Sequence, residues 1–143
     1  MNPAKTEPTR RSASRATIHV RNLRLRTFIG FNPEETEKKQ DVVLNLEIDY
    51  AVTDSALRDR VEDALDYKVI TKQVIRHVEE GRFLLLERLT ADVLDICSAH
   101  PSVRSARVTI EKPHALRFAD SVSLTLEYRA DPTHNLRLLE KAS

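Results

Sequence analysis

An α+β fold, with four strands and two helices in the order ββααββ, is what this 143-residue sequence predicts. Two observations carry that prediction. Residues 42–50 alternate strictly, with Val42, Leu44, Leu46, Ile48 and Tyr50 set against Val43, Asn45, Glu47 and Asp49, which is the period of a strand with one buried face. Ile70, Val74 and Val78 instead recur every four residues, as one face of a helix requires.

The remaining elements follow in order. Residues 17–31 carry Ile18 and Val20, then Leu23, Leu25 and Ile29, and their apolar parity switches near Asn22, which predicts a bulge in the first strand. The charged residues 34–41 then form the long loop of a hairpin to the second strand. Asp63 is expected to cap a helix running to about residue 80, with Gly81 as its stop. A second helix is predicted over 84–99, with Leu85, Leu86, Leu89, Val93 and Ile96 as its buried stripe and Pro101 beyond its end. Residues 103–112 read as a strand with Ala106, Val108 and Ile110 inward, and 119–128 as a strand with Val122, Leu124, Leu126 and Tyr128 inward. The expected result is a four-stranded antiparallel sheet with two helices on one face. Its two unpaired edges invite pairing with further copies, closing a ring.

One domain over 16–130 is predicted, flanked by a disordered basic tail over 1–15, where Lys5, Arg10, Arg11 and Arg15 face Glu7 alone, and by a C-terminal tail over 131–143. Hydrophobic residues make up 41% and charged residues 31%, an ordinary balance for a soluble domain with one core. The net charge of +1 argues against a nucleic-acid partner, and no apolar run reaches membrane-spanning length. Cys97 is the one cysteine, so no internal disulfide can form, and a cytoplasmic setting is expected. His19, His77, His100, His114 and Cys97 show no ligand spacing, so no metal is predicted, and His77 is read as a partly buried helix residue. With only Gly30 and Gly81, a glycine-rich phosphate loop is excluded, and any phosphate must be held by basic side chains and helix N-termini.

Four polar residues stand at element ends: Glu35 in the loop after Gly30, Tyr67 and Glu87 in the first turns of the two helices, and Lys112 at the end of the third strand, just before Pro113. Taken singly, each has an ordinary reading: a solvated loop carboxylate, a half-buried tyrosine, a carboxylate complementing a helix dipole, and a surface lysine.

Together they carry a resemblance. The stretches TFIGFNPEE, ALDYKVITKQVIRHVE, RFLLLERLTADVLDI and VTIEKPHALRFADSVSLTLE, in that order and spacing, resemble the dihydroneopterin aldolase family from about Thr17 to Arg129. That resemblance implies the tunnelling fold (T-fold), an octamer of two stacked tetrameric rings, and active sites between neighbouring subunits. It implies that Glu87 anchors the pterin ring through a pair of hydrogen bonds, with backbone groups near Leu85 and Leu86 completing that edge. It also implies that Lys112 and Tyr67 move protons and that Glu35 supports them. Typical aldolases of the family carry a small residue where His114 stands and commonly an Asn at Asp120. EKPHALRFADSV and NLRLRTFIG point instead to the branch that inverts C2′ of 7,8-dihydroneopterin triphosphate, giving dihydromonapterin triphosphate.

The implied chemistry needs no cofactor. The dihydropterin ring carries its own C=N bond, which can take up the electron pair when C1′–C2′ breaks in a retro-aldol step, so proton transfer suffices. If the aldehyde stays bound, turns and is attacked on its other face, C2′ is inverted; if it escapes, the reaction is a cleavage. Arg24, Arg26, Lys38, Lys39, His114 and Arg117 are basic residues that can hold the phosphates, with His114 and Arg117 preferred because they follow Lys112 directly. Two alternatives remain open: an aldolase releasing glycolaldehyde and 6-hydroxymethyl-7,8-dihydropterin, and a non-catalytic ring-forming scaffold.

Overall fold

The alternation in the sequence becomes strand pairing in the computed structural model of the chain, which describes residues 14–62 and 64–130. Strand β1 (Arg15–Ile29) pairs antiparallel with β2 (Gln40–Ala51), and the connection between them contains a short helix, α1 (Pro33–Glu37). A second short helix, α2 (Asp54–Leu57), precedes the long helix α3 (Tyr67–Glu80). Then come a two-residue strand β3 (Arg82–Phe83), helix α4 (Leu86–Ser98), β4 (Val103–Pro113) and β5 (Ser121–Arg129). The sheet order is β3-β1-β2-β4-β5. Its four long strands are antiparallel, as expected, and β3 adds a parallel edge against Phe28 and Ile29. The bulge falls where the parity switch placed it. The β1–β2 register shifts between Val20 and Leu23, and Asn22 adopts φ 54°, a left-handed conformation that asparagine tolerates better than most residues.

Leu44, Leu46, Ile48, Val74, Val78, Leu89, Val93, Val108 and Ile110 form the centre of the core, each no more than 1% exposed. Burying such a side chain contributes about 1.5–3 kcal/mol, so a handful of them outweighs every surface ion pair in the molecule. The opposite face of the sheet is polar, and His19, Glu47, Arg107 and Glu127 stand in one row across four strands.

Several expectations are corrected at element ends. Helix α3 starts at Tyr67, because the Asp66 carboxylate accepts from the N–H groups of Lys68 (3.0 Å) and Val69 (3.2 Å) and so caps it. Asp63 and the two predicted tails lie outside the described residues, except that Ser14 and Arg15 of the expected tail are described. Arg15 opens β1 and pairs with Asp49 at 2.6 Å. Helix α4 starts at Leu86. Leu84 and Leu85 precede it and are exposed, and its buried stripe is Leu89, Thr90, Val93 and Cys97, with Ile96 half-buried at its flank. Thr90 can be buried because its hydroxyl donates to the Leu86 carbonyl at 2.7 Å. His77 is exposed rather than partly buried, and its Nε2 meets the Asp92 carboxylate at 2.8 Å.

Strand β3 was invisible to periodicity, since two residues have no period. Gly81 ends α3 in an extended conformation, and Phe83 turns inward, 7% exposed, with its ring lying over Gly81. A Cβ on Gly81 would lie 2.6 Å from that ring, so the return of the chain to the sheet depends on this glycine. No helix among the described residues is long and apolar enough to cross a membrane.

Candidate active site

Lys112 and Glu35 are 77 positions apart in sequence and in direct contact in space. The Lys112 ammonium donates to Glu35 Oε2 at 2.9 Å, and the two side chains are only 14% and 23% exposed. Strand pleat explains the lysine's direction. Ala106, Val108 and Ile110 point into the core, and Lys112, next in that series, continues on the same face at the rim of the sheet.

Glu35 is held from three further sides. Its Oε1 accepts from the backbone N–H of Asn32 at 3.3 Å, a bond from the third position of α1 back to its cap. Its carboxylate lies on Gly30, where a Cβ would come within 2.2 Å of it, and Gly30 has φ +127°, a conformation that L side chains rarely adopt. Gln40 approaches the same carboxylate and donates its amide to the Ile29 carbonyl. The Lys112 hydrogen bond holds the Glu35 carboxyl below its ordinary value; partial burial opposes this, and the Asn32 N–H, the Lys112 charge and Gln40 reinforce it. An ionised carboxylate therefore holds an ammonium group at the partly buried rim of the sheet.

The same corner reaches toward α4. The Gly30 N–H donates to the Phe83 carbonyl at 2.9 Å, so the Glu35 platform abuts the strand that leads into α4. Leu85 is the extended cap residue of α4 and is half exposed, Leu86 is its first helical residue, and Glu87 projects from the first turn into solvent. A cavity of about 610 Å³ adjoins this stretch between Gly81 and Asp92, with Leu84 and Leu85 in its wall. Phe31 and Leu84, 69% and 64% exposed, add apolar surface suited to a flat ring.

Tyr67 lies elsewhere. The far end of α3 touches the corner, since the Thr27 hydroxyl donates to the Gly81 carbonyl. Tyr67 begins the helix, and 14 residues span about 21 Å. Its neighbours are His19 and Val20 on β1. His114 takes a left-handed conformation (φ 65°) in the turn after β4 and borders a cleft with Arg24, Arg26, Asp41 and Glu79. Arg117 packs over the Phe118 ring at 5.5 Å. Lys39 donates to the Glu79 carbonyl, and Arg26 is tied to Asp41. One chain thus brings Lys112 and Glu35 together, sets Glu87 beyond their shared wall, and leaves Tyr67 and the predicted phosphate residues apart.

Asn32, Gly30 and Gln40 were not singled out from sequence. The Asn32–Glu35 spacing was the available signal, because Asn followed three residues later by Glu is a capping-box pattern.

A small α+β subunit with a partly buried Lys–Glu pair, nearby exposed apolar side chains and a Glu87 carboxylate with no ion-pair partner among the described residues is equipped for proton transfer on a planar, hydrogen-bonding ligand. The family model described as dihydroneopterin aldolase matches residues 18–127, and the chain belongs to that family. It is 56% identical over 111 residues to the dihydroneopterin triphosphate 2′-epimerase of Pseudomonas aeruginosa, covering 78% of this chain and 90% of that one. It is 51% identical over 114 residues to the enzyme of the same name from Escherichia coli, covering 80% and 95%. The crystal structure of E. coli dihydroneopterin aldolase in complex with neopterin superposes with a TM-score of 0.73 at 29% identity, covering 79% of this chain and 98% of that one. The T-fold expectation is met. Within one organism, the chain is far more similar to the epimerase than to the aldolase.

Proposed function

We propose that this chain inverts C2′ of the side chain of 7,8-dihydroneopterin triphosphate, giving dihydromonapterin triphosphate. The Lys112–Glu35 pair is the observation that carries the reading, and the 51–56% identity to two named epimerases favours inversion over cleavage. Glu87 accepts two N–H groups of the pterin ring, backbone groups at Leu85 and Leu86 complete that edge, and the apolar surface of Phe31 and Leu84 takes the ring face. A base removes the 2′-hydroxyl proton, C1′–C2′ breaks, and the electron pair moves into the ring C=N bond as a ring nitrogen gains a proton. The aldehyde turns, the pair returns to its other face, and both protons go back, so atoms and electrons balance without a metal or cofactor. Lys112 and Tyr67 move the protons, and Glu35 keeps the Lys112 ammonium in place. His114, on the turn leading out of β4, borders the Arg24–Arg26 cleft, and neither it nor Arg117 is assigned to the phosphates.

Tyr67 has to come from a neighbouring copy, because its own chain holds it about a helix length from Lys112. The outer edge of β5 and the outer edge of β1 before Phe28, both unpaired among the described residues, can continue one sheet antiparallel from copy to copy, and Tyr67 flanks that stretch of β1. An octamer of two stacked tetramers, with sites between subunits, is part of this proposal, as is a cytoplasmic location, which the lone thiol suits.

Incubation with dihydroneopterin triphosphate and with dihydroneopterin, followed by chromatography, tests the reading. Epimer in excess of hydroxymethyl-dihydropterin is expected; predominant glycolaldehyde release from the triphosphate would make the chain an aldolase instead.

A further inference from the structure

We propose that the cleft beside Tyr67 is the polyphosphate subsite, with Lys68 and Lys72 holding the triphosphate tail of the substrate and His19 closing its far wall. This rests on the reading that Tyr67 serves the reacting side chain.

The cleft has a volume of about 460 Å³ and is lined by His19, Val20, Tyr67, Lys68, Thr71 and Lys72. Three of these six residues are basic or can become so and none is acidic, though His19 also lies 3.5 Å from Glu47 of the neighbouring strand. The other basic cleft, at Arg24, Arg26 and His114, contains Asp41 and Glu79 among its walls. Lys68 and Lys72 are four residues apart on one helix face, a rise of about 6 Å, so their flexible ammonium groups can both reach one triphosphate. Among the described residues neither ammonium meets a carboxylate, whereas Arg26, Arg58, Arg76, Arg88 and Lys112 all do. Val20, the Tyr67 ring and the lysine stems give the cleft an apolar floor that lets the charged ends reach upward.

Substrate chemistry supplies the second half. The phosphates are attached through the oxygen on C3′, one carbon from the C2′ that is inverted. Their subsite must therefore adjoin the groups that move protons at C2′, and the Tyr67 cleft does so by construction. After C1′–C2′ breaks, the two-carbon aldehyde fragment carries the whole triphosphate. Lysines that hold the phosphates hold the fragment, and retention of the fragment is what separates inversion from cleavage.

The test compares wild type with Lys68→Gln, Lys72→Gln, the double variant and Lys68→Arg/Lys72→Arg, using both dihydropterin substrates. Binding of inorganic tripolyphosphate is followed by calorimetry. The double Gln variant should raise KM for the triphosphate about a hundredfold, roughly tenfold per lost charge-assisted contact. It should also increase cleavage product from the triphosphate, leave turnover of unphosphorylated dihydroneopterin within about twofold, and lose tripolyphosphate binding. The Arg variant should recover most of each. Equal losses on both substrates, or unchanged KM and tripolyphosphate binding, would overturn the subsite. If wild type turned over neither substrate while tripolyphosphate binding still depended on the two lysines, the subsite would stand and the epimerase reading would fall.

Discussion

The two ends of helix α3 face opposite kinds of surface. At its C-terminal end, the Lys112–Glu35 corner is closed: each charged group has its counter-charge within 2.9 Å, and Gly30, Asn32 and Gln40 fill the remaining sides. At its N-terminal end, the Tyr67 cleft is open and cationic, with an exposed aromatic ring. A closed corner is organised before anything binds, so it can act on protons at little reorganisation cost. An open cationic cleft is organised for a highly charged ligand that brings its own counter-charge. On the proposed reading the chain divides the work accordingly: chemistry where charges are paired, capture where they are not.

Disruption of the closed corner should give the largest effect. Lys112→Ala removes the proposed proton carrier and leaves Glu35 without its Lys112 partner. Turnover should fall by about 10²–10⁴, the usual span for general acid–base groups. KM should move far less, and steady-state kinetics on the triphosphate will read both. Undiminished turnover would remove Lys112 from the mechanism.

Glu87→Ala should come next. On the proposed reading it deletes two charge-assisted hydrogen bonds to the ring, each contributing about 1.5–3 kcal/mol. Calorimetry with neopterin should show the loss in affinity rather than in fold, because Glu87 is exposed and the core lies below it. Binding equal to wild type would defeat the anchor role.

Gly30→Ala attacks the corner through the backbone. The new Cβ would sit 2.2 Å from the Glu35 carboxylate, at a φ that costs a non-glycine residue about 1–3 kcal/mol. Lower thermal stability together with lower turnover is expected. Retention of both would mean that Glu35 need not rest on Gly30.

How much of this was legible in the sequence depended on the length of the signal. Long periodic runs such as 42–50 and Ile70–Val74–Val78 translate directly, because burial on one face imposes the period. Ends did not: Leu84 and Leu85 look like helix core in one dimension, yet the chain is still extended there as it leaves β3. The Glu35–Lys112 contact is a tertiary fact with no local signal, and only the family motifs tied the two residues together. The Lys68–Lys72 pair was hidden for the opposite reason, since lysines on an exposed helix face look like solvation until a cavity is seen between them and β1.

Acid titration separates the two regions more finely. Glu35 is depressed in the folded state, so its contribution to stability is complete above the ordinary glutamate value and is lost as pH falls through its lowered value. Lys112→Met removes the main cause of that depression. The stability gap between wild type and Lys112→Met, measured from urea midpoints, should therefore be widest near neutral pH and should narrow as pH falls below about 4.5. A gap constant across that range would mean that the pair contributes packing but no charge linkage. The Lys68 and Lys72 variants should show no such narrowing, because neither lysine has a carboxylate partner to titrate among the described residues.

The smallest effect concerns Cys97. It lies on the buried face of α4 at 0% exposure, and burial pushes its thiol up to about 12. At pH 8 about one thiol in ten thousand would be ionised even if reagent could reach it. Native protein should resist a thiol reagent for hours and label fully on unfolding, so residual labelling reports how often α4 opens. On the proposed sites, neopterin at the N-terminal end of α4 should slow that labelling further, while tripolyphosphate at the far end of α3 should leave it nearly unchanged. Equal protection by both would mean that the two regions are not energetically separate, and rapid labelling of the native chain would contradict the packing of α4 itself.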